Sequence, residues 1–243
     1  MRLPLFPLHA VLFPHLPLPL HIFEERYRAM IGDVLADGSP YGGHFVVTLI
    51  TDGSEVADPR RPALTTAATG TIAEIRHAER FADGRWGLLT VGTARVQVGS
   101  RASDGAYVVA EVEQLPEVVG DAGAADLLLP SVQAALDGYL AGVKRFAASA
   151  ASKGHAGTQT SQLKTSLDEI LKPVRLPADP LAASYAVAGM LQIELTRKQR
   201  LLESPDALAR LTAELSLLRR ETDLLTDGAT SPVIGADRTY NPN

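Results

Sequence analysis

LPLFPLHAVLFPHLPLPLHIFEERYRAMI, residues 3–31, is the stretch from which the rest of the chain is read. It is apolar enough for a secretory leader, but Pro4, Pro7, Pro14, Pro17 and Pro19 interrupt it and no small-residue cleavage site follows, so it is expected to be folded protein. Proline fixes φ and cannot donate to a ladder. Pro4, Pro7 and Pro14 are therefore expected to shape edge strands, with Phe6, Phe13, Leu18, Leu20, Ile22 and Phe23 supplying core. After Ile22 the period changes: Phe23, Tyr27, Met30, Ile31 and Val34 fall on one helical stripe, which predicts a helix near residues 23–36 that ends at Gly38. Glu24 and Glu25 suit its first turn, where the helix dipole favours carboxylates, and Arg26 or Arg28 is expected to pair with a barrel carboxylate.

Outward from this opening, short apolar or alternating runs predict strands at His44–Ile50, Thr69–Ile75, Trp86–Val91, Arg95–Val98 and Tyr107–Val112. Asp52-Gly53 and Asp83-Gly84 are turn dipeptides, and Gly92 and Gly99 punctuate the later runs. Near Gly120 the composition changes. Leu127–Ala148 reads as helix, residues 151–162 as a loop, and Ser166 with Glu169 as a capping box for a helix stopping before Pro173. Asp179-Pro180 opens a helix to about Glu203, and Ser204-Pro205 opens another in which Leu208, Leu211, Leu215, Leu218 and Leu225 form one apolar seam. That seam spans too few heptads for an intermolecular coiled coil and is expected to pack within the chain's own helical bundle. The organisation read is a β domain with one helix over residues 1–118, a helical subdomain over 119–226, and a disordered tail over 227–243.

Composition narrows the function classes. The chain has 243 residues, 46% hydrophobic and 21% charged, which is the usage of a folded globular protein. With no Cys it has no thiol catalysis, no disulfide framework and no thiolate metal site. The net charge is −5, and residues 1–120 hold ten Arg and no Lys against fourteen acidic groups, so nucleic acid is disfavoured as a partner. No apolar stretch is long enough for a membrane span, and a cytoplasmic location is expected. Phosphate-loop, dinucleotide, zincin and nucleophile-elbow motifs are absent. His9, His15 and His21 are spaced by six; on a strand rising about 3.3 Å per residue such neighbours stand roughly 20 Å apart, so no metal site is expected. No catalytic residue and no cofactor is assigned.

Residues 3–31 resemble the opening of the Lon protease N-terminal domain family: a Pro-Leu-Phe-Pro-Leu strand, a Phe-Pro segment, then His-Ile-Phe-Glu-x-Arg-Tyr entering a helix. Tyr41-Gly42 before Phe45–Ile50, Gly70-Thr71 with Ile72 and Ile75, Asp83-Gly84-Arg85, and Gly92 to Val98 extend the resemblance. In the last of these Val96 replaces the family's usual aromatic. Residues 179–218 are similar to the helical portion that follows the barrel in this family, so the resemblance reaches about residue 225. It implies an α+β fold, a PUA-like antiparallel pseudo-barrel followed by an α-helical bundle. It also implies a stand-alone member lacking the ATPase and protease domains, and hence not an enzyme.

The function expected is binding of protein substrates or unfolded and extended polypeptide, with an adaptor role toward a protease or chaperone. The site is sought in an apolar groove between barrel and helices or at an exposed strand edge. Glu25, Arg26, Phe81, Arg85 and Trp86 are the candidate peptide-binding residues, the last three because they flank the Asp83-Gly84 turn. An RNA-binding PUA-like module is the alternative, and an unrecognised hydrolase comes after it. Self-association is left open.

Overall fold

The computed structural model describes residues 1–53, 64–153 and 174–226. These divide into two compact units, Met1–Glu117 with Glu194–Ser204, and Val118–Ile193 with the segment from Pro205 onward. The first unit is built on β1 (Arg2–Leu8), β2 (Pro17–Ile22), β3 (His44–Asp52), β4 (Thr65–Thr66), β5 (Thr69–Arg80), β6 (Trp86–Asp104) and β7 (Tyr107–Gln114). The sheet runs β1-β7-β6-β5-β3, and β3 pairs back onto β1, so these strands close into a ring to which β4 and β2 are appended. The pairing of β1 with β3 is parallel and the other strand pairings are antiparallel. A ring with an odd number of strands cannot alternate direction all the way round, so closure itself requires a parallel pair.

The prolines of β1 are not on an edge strand. Arg2–Pro4 pair with β7 and Leu5–Leu8 with β3, so the strand changes partner midway and each half has a ladder on one side only. A missing N–H is tolerated on the side without a ladder. Pro14 lies outside the named strands, in a bridge to Gly92. β2 is the edge strand: among the described residues it pairs with β6 alone, and Pro17 and Pro19, two residues apart, both withhold an N–H from the same side.

The two strands expected around Gly92 are one 19-residue strand, β6. Gly92 lies inside it where the register against β5 slips, and a Cβ there would run into the Phe13 carbonyl. His15, at φ 65°, donates its N–H to Gly92 O at 2.7 Å, and Gly92 N–H donates to Leu16 O at 3.0 Å. This glycine therefore admits a close backbone crossing and does not end the strand. Gly84, at φ 83°, does reverse the chain between β5 and β6.

Successive strand side chains point to opposite faces, so the strands feed two clusters. Leu3, Leu5, Val46, Ile72, Val96 and Val112 form one. Phe6, Phe45, Val47, Leu88 and Val109 form the other, against which α1 (Glu25–Leu35) lays Tyr27, Met30, Ile31 and Val34. Phe6 meets Tyr27 and Phe45 edge-on, at 4.5 and 5.7 Å between ring centres. Phe23, expected on the buried stripe, precedes the helix and is 36% exposed.

Of the remaining helices, α2 (Ala122–Lys153), α3 (Pro180–Met190) and α5 (Ala207–Thr226) make the second unit, while α4 (Leu195–Leu202) belongs to the first. Asp179 caps α3 by accepting the Ala182 N–H at 2.9 Å, as its position before Pro180 predicts. The single helix expected from there to Glu203 is two, because residues 191–194 leave the helical path. The Gln192 N–H is taken by the Tyr139 hydroxyl at 3.1 Å, so the break leaves no orphan donor there. The cap of α5 is Asp206, which accepts the Ala209 N–H at 2.7 Å; Ser204 instead donates to Arg200 O. Ala151–Lys153, read as loop, continue α2. The Ser166–Glu169 capping box and the tail from Asp227 lie outside the described residues.

α4 is tied to the sheet by Arg95 of β6, which is 3% exposed. Its guanidinium donates to Leu202 O at 2.9 Å, Ser204 O at 2.7 Å and Pro116 O at 3.0 Å, and pairs with Glu117 at 3.2 Å. Gln199 adds a bond to Thr69 O at 3.0 Å. In the helical unit the inner face of α5 is not purely leucine. Arg210 is fully buried, donates to Ser184 Oγ at 2.8 Å and lies 4.2 Å over the Tyr185 ring. Glu214, one turn on, is also fully buried, and among the described residues neither carboxyl oxygen has a hydrogen-bond partner; burial pushes that carboxyl well above the usual range against the pull of Arg210.

Candidate functional site

The candidate site grows from the turn between β5 and β6. Phe81 N–H donates to Arg85 O and Gly84 N–H to Phe81 O, each at 2.9 Å. The Asp83 carboxylate accepts the Arg85 N–H at 3.1 Å and Arg85 Nε at 2.6 Å. These bonds, the main-chain one foremost, hold that carboxyl below its ordinary value. Arg85 also stands 3.2 Å from His21 Nε2 on β2, and Arg28 of α1 donates to Asp83 O at 3.1 Å. The hairpin tip thus makes hydrogen bonds to a neighbouring strand and to the helix through arginines.

Across β2 and β6, His21 opposes Gly87 and Pro19 opposes Leu89. Because strand side chains alternate, Pro19, His21 and Leu89 share one face. Phe81 lies over Gly87, where an added Cβ would come within 3.3 Å of its ring, and sits 5.8 Å from the His21 ring. Phe81 is 36% exposed and Leu89 43%. Phe23, 36% exposed just past the end of β2, lines a small apolar cavity with His21, Phe6 and Tyr27. The result is an apolar face rimmed by a guanidinium, a carboxylate and an imidazole.

The sequence-based candidates fall in two places. Phe81 and Arg85 belong to this face. Trp86 is adjacent but turned inward, packed against the α1 cluster with the Arg80 guanidinium 5.5 Å from its ring. Glu25 is exposed in the first turn of α1. Arg26, expected against a barrel carboxylate, pairs with Glu24 at 3.1 Å, lies 4.4 Å over the Tyr27 ring and lines a different cleft. Glu24 stands at the helix N-cap but its carboxylate makes no capping bond, being engaged by Arg26 instead. Leu89 was missed. Leu88-Leu89 in one strand is a signal that one of the two must face outward, but only the register says which.

Among the described residues no three His, Cys, Asp or Glu side chains gather as metal ligands, and no helix is long and apolar enough to cross a membrane. The chemistry the face offers is apolar contact with a hydrogen-bonding rim, which suits a flexible apolar chain.

The chain was compared with known families, proteins and solved structures. Residues 2–220 match the model of the ATP-dependent protease La (LON) substrate-binding domain. Lon protease 2 of Syntrophobacter fumaroxidans is 26% identical over 226 residues, covering 92% of this chain and 25% of the relative. Lon protease 1 of Thermus thermophilus is 26% identical over 225 residues, with 92% and 25% covered. The chain therefore spans about a quarter of the length of these curated relatives. Among solved structures, the N-terminal domain of Mycobacterium avium complex Lon protease superposes with a TM-score of 0.58 at 20% identity, covering 90% of this chain and 98% of that one. The Lon N-terminal domain protein from Xanthomonas campestris gives 0.54 at 23% identity, with 89% and 98% covered. These two likenesses show the shared fold.

Proposed function

Because the chain belongs to the family of Lon substrate-binding domains, we propose that it binds unfolded or extended polypeptide on the face formed by Phe23, Pro19, Phe81 and Leu89, with Arg85 on the rim. The observation that carries this is the exposure of Phe81, in the turn of the β5–β6 hairpin, and of Leu89, on β6 opposite Pro19. Large apolar side chains grouped in the open mark interaction surfaces. The free edge of β2 beside them is blocked by Pro17 and Pro19, so capture here runs through side chains and not through strand addition. Such binding needs no cofactor and no catalytic group. The module acts in the cytoplasm as a non-catalytic adaptor that presents chains to a protease or chaperone.

The test is a titration of labelled, permanently unfolded protein against the full chain at two ionic strengths, with single-stranded RNA in parallel. Apolar contact changes little between low and moderate salt, whereas phosphate contact weakens steeply. Leu89→Asp, which puts a charge in the contact, weakens polypeptide binding about ten-fold or more. Leu127→Asp, at a position 82% exposed on the helical unit, controls for general stickiness and leaves binding unchanged. Salt-sensitive RNA binding without polypeptide binding defeats the proposal, and so does full retention of binding by Leu89→Asp.

A further inference from the structure

Where β1 changes partner, two strand edges part. Pro4 still faces Val109 of β7, but from Leu5 onward β1 is paired with β3, while Tyr107 and Val108 of β7 stay paired with β6. Between them lies a cleft of about 410 Å³, with Leu5 and Pro7 on one wall and Tyr107 and Val108 on the other. That volume is in the range of pockets that enclose small ligands or a few residues of peptide. Val108 is 39% exposed toward solvent.

Two arginines line this cleft, Arg26 from α1 and Arg101 from β6, and none of its described lining residues is acidic. Their situations differ. Arg26 is paired with Glu24. Arg101 donates to a neutral acceptor, Thr66 Oγ1 at 2.8 Å, and meets no carboxylate among the described residues. A guanidinium presents several N–H donors in a planar fork matched to a carboxylate, and one hydroxyl partner leaves most of that fork unused.

From this juxtaposition we infer that the cleft captures the carboxyl-terminal segment of an extended polypeptide. Its main chain lies along the open edge of β7 at Val108, its last side chain rests on Val108 at the mouth of the cleft, and its terminal carboxylate meets the fork of Arg101. The match has three parts: the open edge of β7 takes a peptide amide and carbonyl, the exposed Val108 takes a side chain, and the guanidinium takes a planar anion. A nucleic-acid backbone would satisfy the last alone. This site goes beyond the polypeptide-binding reading to a second surface, and it does not depend on the Leu89 face.

The test uses fluorescence anisotropy of a labelled, unstructured peptide about ten residues long, ending in Ala-Leu with a free carboxylate, and of the same peptide as its terminal amide. The full chain is expected to bind the acid about ten-fold more tightly than the amide, the effect of one charge-assisted bidentate contact. Arg101→Gln, at an exposed position and checked for fold by circular dichroism, abolishes this preference and leaves the amide's affinity as it was. Leu89→Asp leaves the acid-to-amide ratio unchanged even where it weakens binding of unfolded protein, which separates failure of this inference from failure of the proposed function. Equal affinity for acid and amide, binding of neither, or a preference that survives Arg101→Gln would each overturn it.

Discussion

Replacing Arg95 by methionine keeps an unbranched apolar stem in the core but removes every bond that holds the end of α4 to β6. Three carbonyls then lose a charged donor, those of Leu202, Ser204 and Pro116. Hydrogen bonds from an ionised donor contribute about 1.5–3 kcal/mol each, so their sum bounds the loss at roughly 4.5–9 kcal/mol. Two of the three bonds are only partly buried, and water can reach those carbonyls once the guanidinium is gone. The bond to Leu202 O is buried and recovers nothing. With that relief the expected loss is about 3–5 kcal/mol. Glu117 adds little, because its side chain is 24% exposed and its half of the pair is screened; Glu117→Gln should cost less than about 1 kcal/mol. Arg95→Lys keeps the charge but cannot reach several carbonyls at once, and should fall between. The chain has one tryptophan, Trp86, and it lies on β6 against the α1 cluster, so its fluorescence in urea reports the barrel unit and not α2, α3 or α5. Hydrogen exchange at residues 195–202 reports α4 separately. If Arg95→Met shifts the Trp86 transition by less than about 1 kcal/mol and leaves exchange in α4 unchanged, the clamp is not what holds that helix, and the reasoning fails.

The buried carboxyl of Glu214 gives a pH dependence whose sign can be worked out. Its folded pKa lies above the unfolded one, so the folded state holds the proton longer, and stability contributed by this group falls as pH rises from the ordinary glutamate range through the raised value. Urea unfolding of the helical unit across that range should show the decline, and Glu214→Gln should flatten it; an unchanged slope rejects the assignment. Gly92→Ala forces a methyl group into the Phe13 carbonyl and should cost about 2–4 kcal/mol by thermal or urea unfolding, whereas Gly138→Ala, where nothing lies within 4 Å of an added Cβ, should be neutral or slightly stabilising. Tyr107→Phe removes the hydroxyl that donates to Asp33 and should lose about 1 kcal/mol. Burial and that bond together raise the hydroxyl's pKa, so absorbance titration should show one late-ionising tyrosine fewer in the variant than in the wild type.

The periodic parts of this fold were legible in the sequence for a physical reason: Tyr27, Met30, Ile31 and Val34 sit against a core because helical spacing leaves them no other face. What could not be read was whatever depends on a distant partner. Gly92 looks like a strand break until the chain near Phe13 is seen crossing it. Pro4 and Pro7 look like edge markers until β1 is found to exchange β7 for β3 between them. Arg95 and Arg210 carry no local sign of burial, since a buried arginine is paid for by acceptors that long stretches of chain deliver. The same limit applies to the candidate site: the Asp83-Gly84 turn named Phe81 and Arg85, but Leu89 entered only through its register opposite Pro19.

The closed ring has a consequence in time as well as in space. β1 is made first, yet one of its two partners, β7, follows on the order of a hundred residues later, a loop whose closure is entropically costly and slow to find. On a ribosome the first strand therefore waits, apolar and half-paired, while most of the barrel is still being synthesised. Pro4 and Pro7 interrupt the donor row that a neighbouring nascent chain would need for edge-to-edge pairing. The residues that make the opening of this sequence recognisable thus also act as gatekeepers of its youngest intermediate, guarding a strand that finishes its ladder only when β7 arrives.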